Sequence, residues 1–357
     1  MNRIARGAIE ALPAAVAARS PTRLAFVVDR EVARLHETLE RIAAEIGAAW
    51  IPVPGGERSK TPDGLAALWS RLAEADLDRG SLLLAAGGGT VLDLAGFAAS
   101  TWHRGIPWVA IPTTLLAMVD ASIGGKTGID LPAGKNLVGA FHPPLEVHVD
   151  LAFLDTLPAE EIGTGLAEIV KAAVVGDSGL LEHVERNATA LLAREEASLL
   201  EAVRRAVAVK TAIVSRDPRE GGERRVLNFG HTLGHAIESA SGYAIPHGRA
   251  VAVGMLAACT VAQGRGLASP ALRERLSLLL SRLGLPTGLP AGFGPEAIVD
   301  ATAADKKRAA GVLSMVLPRD VGRVEVVAGI TREEIEKGVR LLFEKRGPAP
   351  FPERKGA

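Results

Sequence analysis

The chain has 357 residues, 48% of them apolar and 23% charged, which is ordinary globular usage with room for two domains and ample core. Lys plus Arg number 41 and so do Asp plus Glu, so the net charge is zero, and this argues against nucleic acid, whose binders usually carry a basic excess. No apolar run nears the roughly 18 residues of a membrane span, no basic head precedes an apolar core at the N-terminus to predict a signal peptide, and the single cysteine, Cys259, allows no intramolecular disulfide and fits a reducing, cytoplasmic compartment.

Leu24 to Asp29 reads as a strand, and Thr61 to Asp76 has helical spacing. Ser81 to Ala86 is an apolar run ending in Gly87-Gly88-Gly89. Asp93 to Ser100 is helical, and Trp108 to Pro112 is another buried strand. This alternation predicts a parallel sheet covered on both faces. From Pro158 onward long Ala/Leu/Glu/Arg-rich segments with a period near 3.6 take over: 159–175, 179–211, 230–241, 248–264 and 270–283. Pro158 followed by Glu160 and Glu161 suits a helix start, so a boundary is expected near 157. A short β-like piece spans 311–318, and a Pro- and Gly-rich charged tail starts at Arg346.

Gly87-Gly88-Gly89-Thr90, with Asp93 behind it, lets backbone N–H groups at a helix start approach a diphosphate. It is not the GxGxxG fingerprint, and a tight strand–helix turn explains it equally well. Thr113-Thr114 closes the next strand and adds hydroxyl donors at the same end of the sheet. Gly124-Gly125-Lys126-Thr127 looks like the end of a P-loop, but Asp120 stands where that motif needs glycine. Lys126, Lys135 and Asn136, in glycine-flanked loops, suit an anionic, oxygen-rich substrate, and a solvated loop lysine is the plain alternative.

His231 and His235 are four apart on one helical face, and His247 follows. Two arrangements hold a divalent ion: His231 with His235, as in HExxH, or Glu168, His231 and His247, leaving His235 for acid–base work. Three histidines within 17 residues, in a chain with eight, point to a site. His36, His103, His142, His148 and His183 are read as structural, and Cys259, in an apolar run, as a buried small hydrophobe. Lys171 lies one turn from Glu168. Lys210, Glu220, Arg224 and Asn228 crowd the approach to His231, and Arg suits bidentate binding of carboxylate or phosphate.

Together these motifs resemble the 3-dehydroquinate synthases of the sugar-phosphate cyclase family. The match runs from Glu57-x-x-Lys60 through Gly87 to Phe97, Arg104-Gly105, Pro112 to Ala117, Asp120 to Lys126, Gly134 to Leu137, Phe153 to Pro158, Gly165 to Lys171, Leu227 to Glu238 and His247-Gly248, and it ends near Asp305-Lys306-Lys307 and Gly322. The resemblance implies a Rossmann-like NAD-binding α/β domain, residues 1–157, followed by an all-α metal- and substrate-binding domain, residues 158–357. It implies that NAD lies against Asp29, Glu57, Lys60, Gly88, Gly89, Thr90, Asp93, Thr113, Thr114, Lys135, Phe153 and Thr156. A divalent metal, zinc or cobalt, is implied on Glu168, His231 and His247. The implied substrate is a seven-carbon keto-acid phosphate contacting Arg104, Asp120, Lys126, Asn136, Lys171, Lys210, Arg224, Asn228 and one of Lys306 and Lys307. His235 and Glu220 are the implied acid–base pair, with Lys126, Lys171, Arg224 and Asn228 beside the reacting atoms. A homodimer is implied as well.

Met118 stands where the family usually has glutamine, Thr164 where asparagine or serine is common, and Arg249 where glutamate follows His-Gly. A cation beside a metal ligand weakens the site unless it points away. Two rivals remain: another cyclase, making a cyclitol, and a metal-dependent polyol dehydrogenase of the same fold. A cyclitol precursor has no carboxylate and does not require Arg224.

Overall fold

A computed structural model describes residues 2–289, 294–308 and 312–343, with backbone alone for 303–308 and 343. The chain divides into two compact units, Met1–Ile162 with Leu199–Val207, and Gly163–Ser198 with Ala208–Ala357.

In the first unit the order is β1 (Asn2–Ala5), α1 (Leu12–Ala17), β2 (Leu24–Asp29), α2 (Arg30–Leu35), α3 (Glu37–Glu45), β3 (Ala49–Val53), α4 (Pro62–Glu74), β4 (Leu82–Gly87), α5 (Gly89–Thr101), β5 (Trp108–Pro112), β6 (Lys126–Leu131), β7 (Gly134–Phe141) and β8 (Glu146–Asp150). Six strands form one sheet in the order β1-β8-β5-β4-β2-β3, and every adjacent pair is parallel. All of β4 and all of β5 are buried, as their unbroken apolar runs require of central parallel strands. Strand order reverses beside β2, with β3 on one side and β4 on the other, so the carboxyl ends of β2 and β4 flank a topological switch point. Asp29 ends β2 and Gly87 ends β4.

The expected strands at 24–29, 81–86 and 108–112 are present within a residue. Helix α5 starts at Gly89, four residues before the apolar spacing begins at Asp93. The stretch read as loops around Lys126 and Lys135 is instead the antiparallel ribbon β6–β7. Its glycines hide the strand pattern: Gly128 and Gly139 face each other so closely that a Cβ on Gly139 would lie 2.2 Å from the carbonyl oxygen of Thr127.

The second unit holds most of α6 (Ala159–Gly176), then α7 (Ser178–Arg186), α8 (Ala188–Leu192), the ends of α9 (Glu196–Arg216), α10 (His231–Ala240), α11 (His247–Gly264), α12 (Pro270–Arg282), α13 (Pro295–Arg308), β9 (Ser314–Asp320), β10 (Arg323–Ala328) and α14 (Arg332–Phe343). Among the described residues it is helical apart from the β9–β10 hairpin, whose first strand covers 314–318 of the β-like piece expected at 311–318; residue 311 lies outside the described residues. The segment 179–211, expected as one helix, is three. Arg194 turns left-handed with φ 63°, and the Glu195 side chain then caps α9 by accepting from the N–H groups of Ala197 and Ser198. Residues Ala250 to Ala262 of α11 are all buried, so this helix is the core of the unit. Helix α10 packs closely on it, because a Cβ on Gly254 would lie 2.0 Å from the carbonyl oxygen of Gly230.

Candidate functional site

Three elements of the second unit bring Glu168, His231 and His247 together. Glu168 is in the middle of α6 and 2% exposed. His231 opens α10, after Gly230 supplies the left-handed entry with φ 81°. His247 opens α11, which lies flat against α6: a Cβ on Gly248 would sit 2.3 Å from the Thr164 carbonyl oxygen. One ligand atom from each of the three lies within 4.8 Å of the others. Nε2 of His231 is 3.8 Å, and Nε2 of His247 3.6 Å, from the same oxygen, Oε1 of Glu168.

The outer ring nitrogens decide what faces inward. Nδ1 of His231 is 3.2 Å from the Phe229 carbonyl oxygen, and Nδ1 of His247 is 3.1 Å from Oε2 of Glu238. A carbonyl and a carboxylate only accept, so each Nδ1 carries the proton. Both Nε2 atoms are then left beside the same carboxylate oxygen, an arrangement that suits a cation between them. The spacings exceed hydrogen-bond length but approach the roughly 3.4 Å between two ligands of one tetrahedral zinc. Burial and the Lys171 ammonium hold the His231 pKa well below its ordinary value, Glu168 notwithstanding, so its imidazole is neutral, as a ligand must be. Burial opposes charge on His247 too, yet the two carboxylates beside its ring, Glu168 and Glu238, raise its pKa to about 10. A field that draws a proton that strongly draws a divalent cation as well. The residues therefore fit a metal ion.

His235 is one turn along α10, exposed, with its ring centroid 5.3 Å from that of His231 and 5.9 Å from that of His247. With Glu238 and His247 it forms a second close group. Lys171 is ion-paired to Oε2 of Glu168. Lys171, Lys210 and Arg224 are all buried, which is rare for cations. Arg224 donates from Nη1 to the Pro218 carbonyl at 2.7 Å, and its N–H donates to Asp217. The Asn228 amide donates to Oε1 of Glu220 at 2.8 Å, and Glu220 adopts a left-handed φ of 59°. The side chains of Lys306 and Lys307 lie outside the described residues.

In the first unit Gly88 and Gly89 form the turn from β4 into α5, with Thr90 in its first turn. A Cβ on Gly88 would meet the Thr114 methyl at 3.3 Å. Thr113 is buried and its N–H donates to the Gly87 carbonyl, joining the ends of β4 and β5. Asp29 caps α2, and a Cβ on Gly55 would collide with its carboxylate. Lys60, 3% exposed, donates to Asp93 at 2.6 Å and to the Asn136 side chain at 2.5 Å, and Asp130 lies 3.9 Å away. Burial opposes its charge, but the Asp93 carboxylate outweighs that and raises the pKa. Lys135 pairs with Glu57 at 3.2 Å. Thr156 meets Nε2 of His36 at 2.8 Å, and Phe153 packs edge-on against the same imidazole. Arg104 and Lys126 are exposed, Asp120 sits on a π-helical turn at Ala117–Ala121, and none of the three is a partner of Lys60.

Two family models cover the middle of the chain, 3-dehydroquinate synthase N-terminal at residues 50–164 and 3-dehydroquinate synthase C-terminal at residues 165–308. The chain belongs to the 3-dehydroquinate synthase family. A 3-dehydroquinate synthase of Symbiobacterium thermophilum is 46% identical over 324 residues, 90% of each chain. Among solved structures, the 2-epi-5-epi-valiolone synthase of Streptomyces hygroscopicus, with NAD+ and Zn2+ bound, is similar at TM-score 0.84 and 32% identity, covering 90% of this chain and 91% of its own. A 2-deoxy-scyllo-inosose synthase, complexed with carbaglucose-6-phosphate, NAD+ and Co2+, gives TM-score 0.87 at 25% identity over 95% and 96%.

Within this member of the 3-dehydroquinate synthase family, three residues that touch the expected site residues were not among the candidates named from sequence. Asp130 holds Asn136 by accepting its N–H at 2.8 Å. His36 touches two residues expected at the nucleotide, and nothing in a lone histidine before a helix signals that. Glu238 touches His247, and its spacing from His231 and His235 was a usable signal. Of the other histidines read as structural, His103, His142 and His183 bond backbone oxygens, and His148 bonds Glu146. Cys259 is buried, its thiol pushed up to about 12 by burial.

Proposed function

We propose that this chain is a 3-dehydroquinate synthase. It converts 3-deoxy-D-arabino-heptulosonate 7-phosphate to 3-dehydroquinate and phosphate, in the shikimate pathway of aromatic amino acid biosynthesis. It is a phosphate-eliminating carbon–oxygen lyase that uses NAD catalytically and a divalent metal, zinc or cobalt. The convergence of Glu168, His231 and His247 on one point, in a chain of this family, carries the reading.

Those three residues hold the metal. The nucleotide is held at the β2 and β4 ends by Asp29, Gly88, Gly89, Thr90, Thr113 and Thr114, with Glu57, Lys60, Asp93, Lys135, Phe153 and Thr156 around them. When bound, NAD supplies a reversible oxidation of a ring carbinol and the metal supplies positive charge at its oxygen. The buried cations Lys171, Lys210 and Arg224 hold the phosphate and carboxylate of the substrate, with Arg104, Asp120, Lys126, Asn136, Asn228 and Lys306 or Lys307 completing the contacts. Such fixed orientation is worth several kcal/mol of barrier. His235, exposed beside the two ligand imidazoles, and Glu220, oriented by Asn228, carry protons to and from the ring. Residues 1–157 serve the nucleotide, and 158–357 the metal and substrate. The enzyme is cytoplasmic and homodimeric. The lone cysteine supports the first and the family resemblance the second.

Identity favours this substrate over a cyclitol precursor: 46% to the curated relative against 32% to the valiolone synthase. Buried Arg224, suited to a carboxylate, supports the same choice. The test is incubation with the seven-carbon keto-acid phosphate, NAD and zinc, following phosphate and NADH absorbance together. Stoichiometric phosphate without accumulating NADH is expected. NADH accumulating with a polyol would make the chain a dehydrogenase instead.

A further inference from the structure

His231, His235 and Glu238 stand at intervals of four and three along α10, so all three line one stripe of that helix. The residue facing that stripe is His247, at the start of α11. Glu238 is only 7% exposed, and its Oε2 lies 3.1 Å from Nδ1 of His247. The opposite nitrogen of the same ring, Nε2, lies 3.6 Å from Oε1 of Glu168. His247 is thus suspended between two carboxylates, one on each nitrogen. His231 is anchored the same way, but by a backbone carbonyl, that of Phe229. His247 begins its helix, its side chain is 32% exposed, and the partner on its Nδ1 is a side chain where that of His231 is backbone.

We infer that Glu238 is the positioning residue of the metal centre. It accepts the Nδ1 proton of His247, fixes the tautomer, and keeps the Nε2 lone pair turned toward Glu168. The inference rests on the proposal that Glu168, His231 and His247 hold a metal. Outer carboxylates of this kind typically account for about 10–100-fold in metal affinity. A purely structural Glu238 would tie α10 to the start of α11 and leave metal affinity unaffected.

The test uses the full chain stripped with chelator and titrated with Co2+ or Zn2+ against a competing indicator. Glu238→Met removes the acceptor at nearly the same volume, and Glu238→Gln keeps an oxygen that can accept. Glu238→Met is expected to bind about 10–100-fold more weakly and to alter the visible Co2+ spectrum, while far-UV circular dichroism stays at wild type. Glu238→Gln is expected to recover most of the affinity. Wild-type affinity and spectrum in Glu238→Met overturn the inference, and so does a Glu238→Gln protein as weak as Glu238→Met. If Glu238→Met does not fold, imidazole 15N spectra of wild type loaded with Zn2+ decide: a protonated Nδ1 and metal-shifted Nε2 on His247 support it, and the reverse pattern overturns it. Wild-type protein that binds neither ion refutes the metal centre itself, a separate result.

Discussion

Lys171 stands one helical turn after Glu168 and takes one of its two carboxylate oxygens, Oε2, leaving Oε1 to the two imidazoles. Both residues are 2% exposed. The pair divides one carboxylate between a fixed ammonium and the point where the histidines converge. Removing the ammonium strands a buried anion, which costs about 3–5 kcal/mol. Lys171→Met is therefore expected to lower unfolding free energy by that order in urea titrations and to abolish turnover. A Lys171→Met protein as stable as wild type would mean that water reaches Glu168.

His231→Ala removes a nitrogen from the convergent set without touching the α10 backbone. Metal affinity is expected to fall by more than about a hundredfold, beyond the usual cost of an outer-sphere change. Circular dichroism should be unchanged. Full activity after stripping the variant of metal would refute the assignment.

Gly248→Ala tests how His247 is placed. The new methyl would meet the backbone of Thr164, which cannot yield as a side chain can. Overpacking of this kind costs about 1–3 kcal/mol, and the relief available is to lift the start of α11 from α6. Stability and metal affinity should fall together. A loss of stability alone would show that His247 follows Glu168 by some other constraint.

Arg224→Lys keeps charge but loses the planar fork. The Michaelis constant for the keto-acid phosphate is expected to rise by about tenfold, the cost of roughly one charge-assisted hydrogen bond, with a smaller drop in kcat. An unchanged Michaelis constant would place the substrate carboxylate elsewhere.

Acid stability offers a check far from the site. Hydrogen bonding to Arg265, at 2.5 Å, holds the Glu334 carboxyl down to about 2 against the cost of its partial burial. A depressed folded-state pKa stabilises above the unfolded value, near 4.5, and that contribution disappears as pH falls toward 2. Glu334→Gln should therefore melt lower than wild type at pH 7, and the two curves should converge as pH approaches 2. A gap that persists at pH 2 would mean the pair acts through packing, not charge.

Local chemistry was legible in the chain itself. Unbroken apolar runs, one ending in Gly87 and the other in Pro112, marked β4 and β5, because central parallel strands are buried on both faces. The spacing of His231 and His235 marked one face of a helix. Glycine obscured β6 and β7, since a strand whose side chains are missing shows no alternation. The break at Arg194 was hidden because a charged residue in a left-handed turn leaves no periodic signature. Composition and spacing also left two ligand sets open, His231 with His235 or with Glu168 and His247. Which atoms converge depends on how α6, α10 and α11 stack, and that stacking is set by close approach at Gly248 and Gly254, far apart in the chain from Glu168. Pairwise sequence spacing records neighbours within one helix. Only packing between helices determines that Nε2 of His231 and Nε2 of His247 approach the same oxygen.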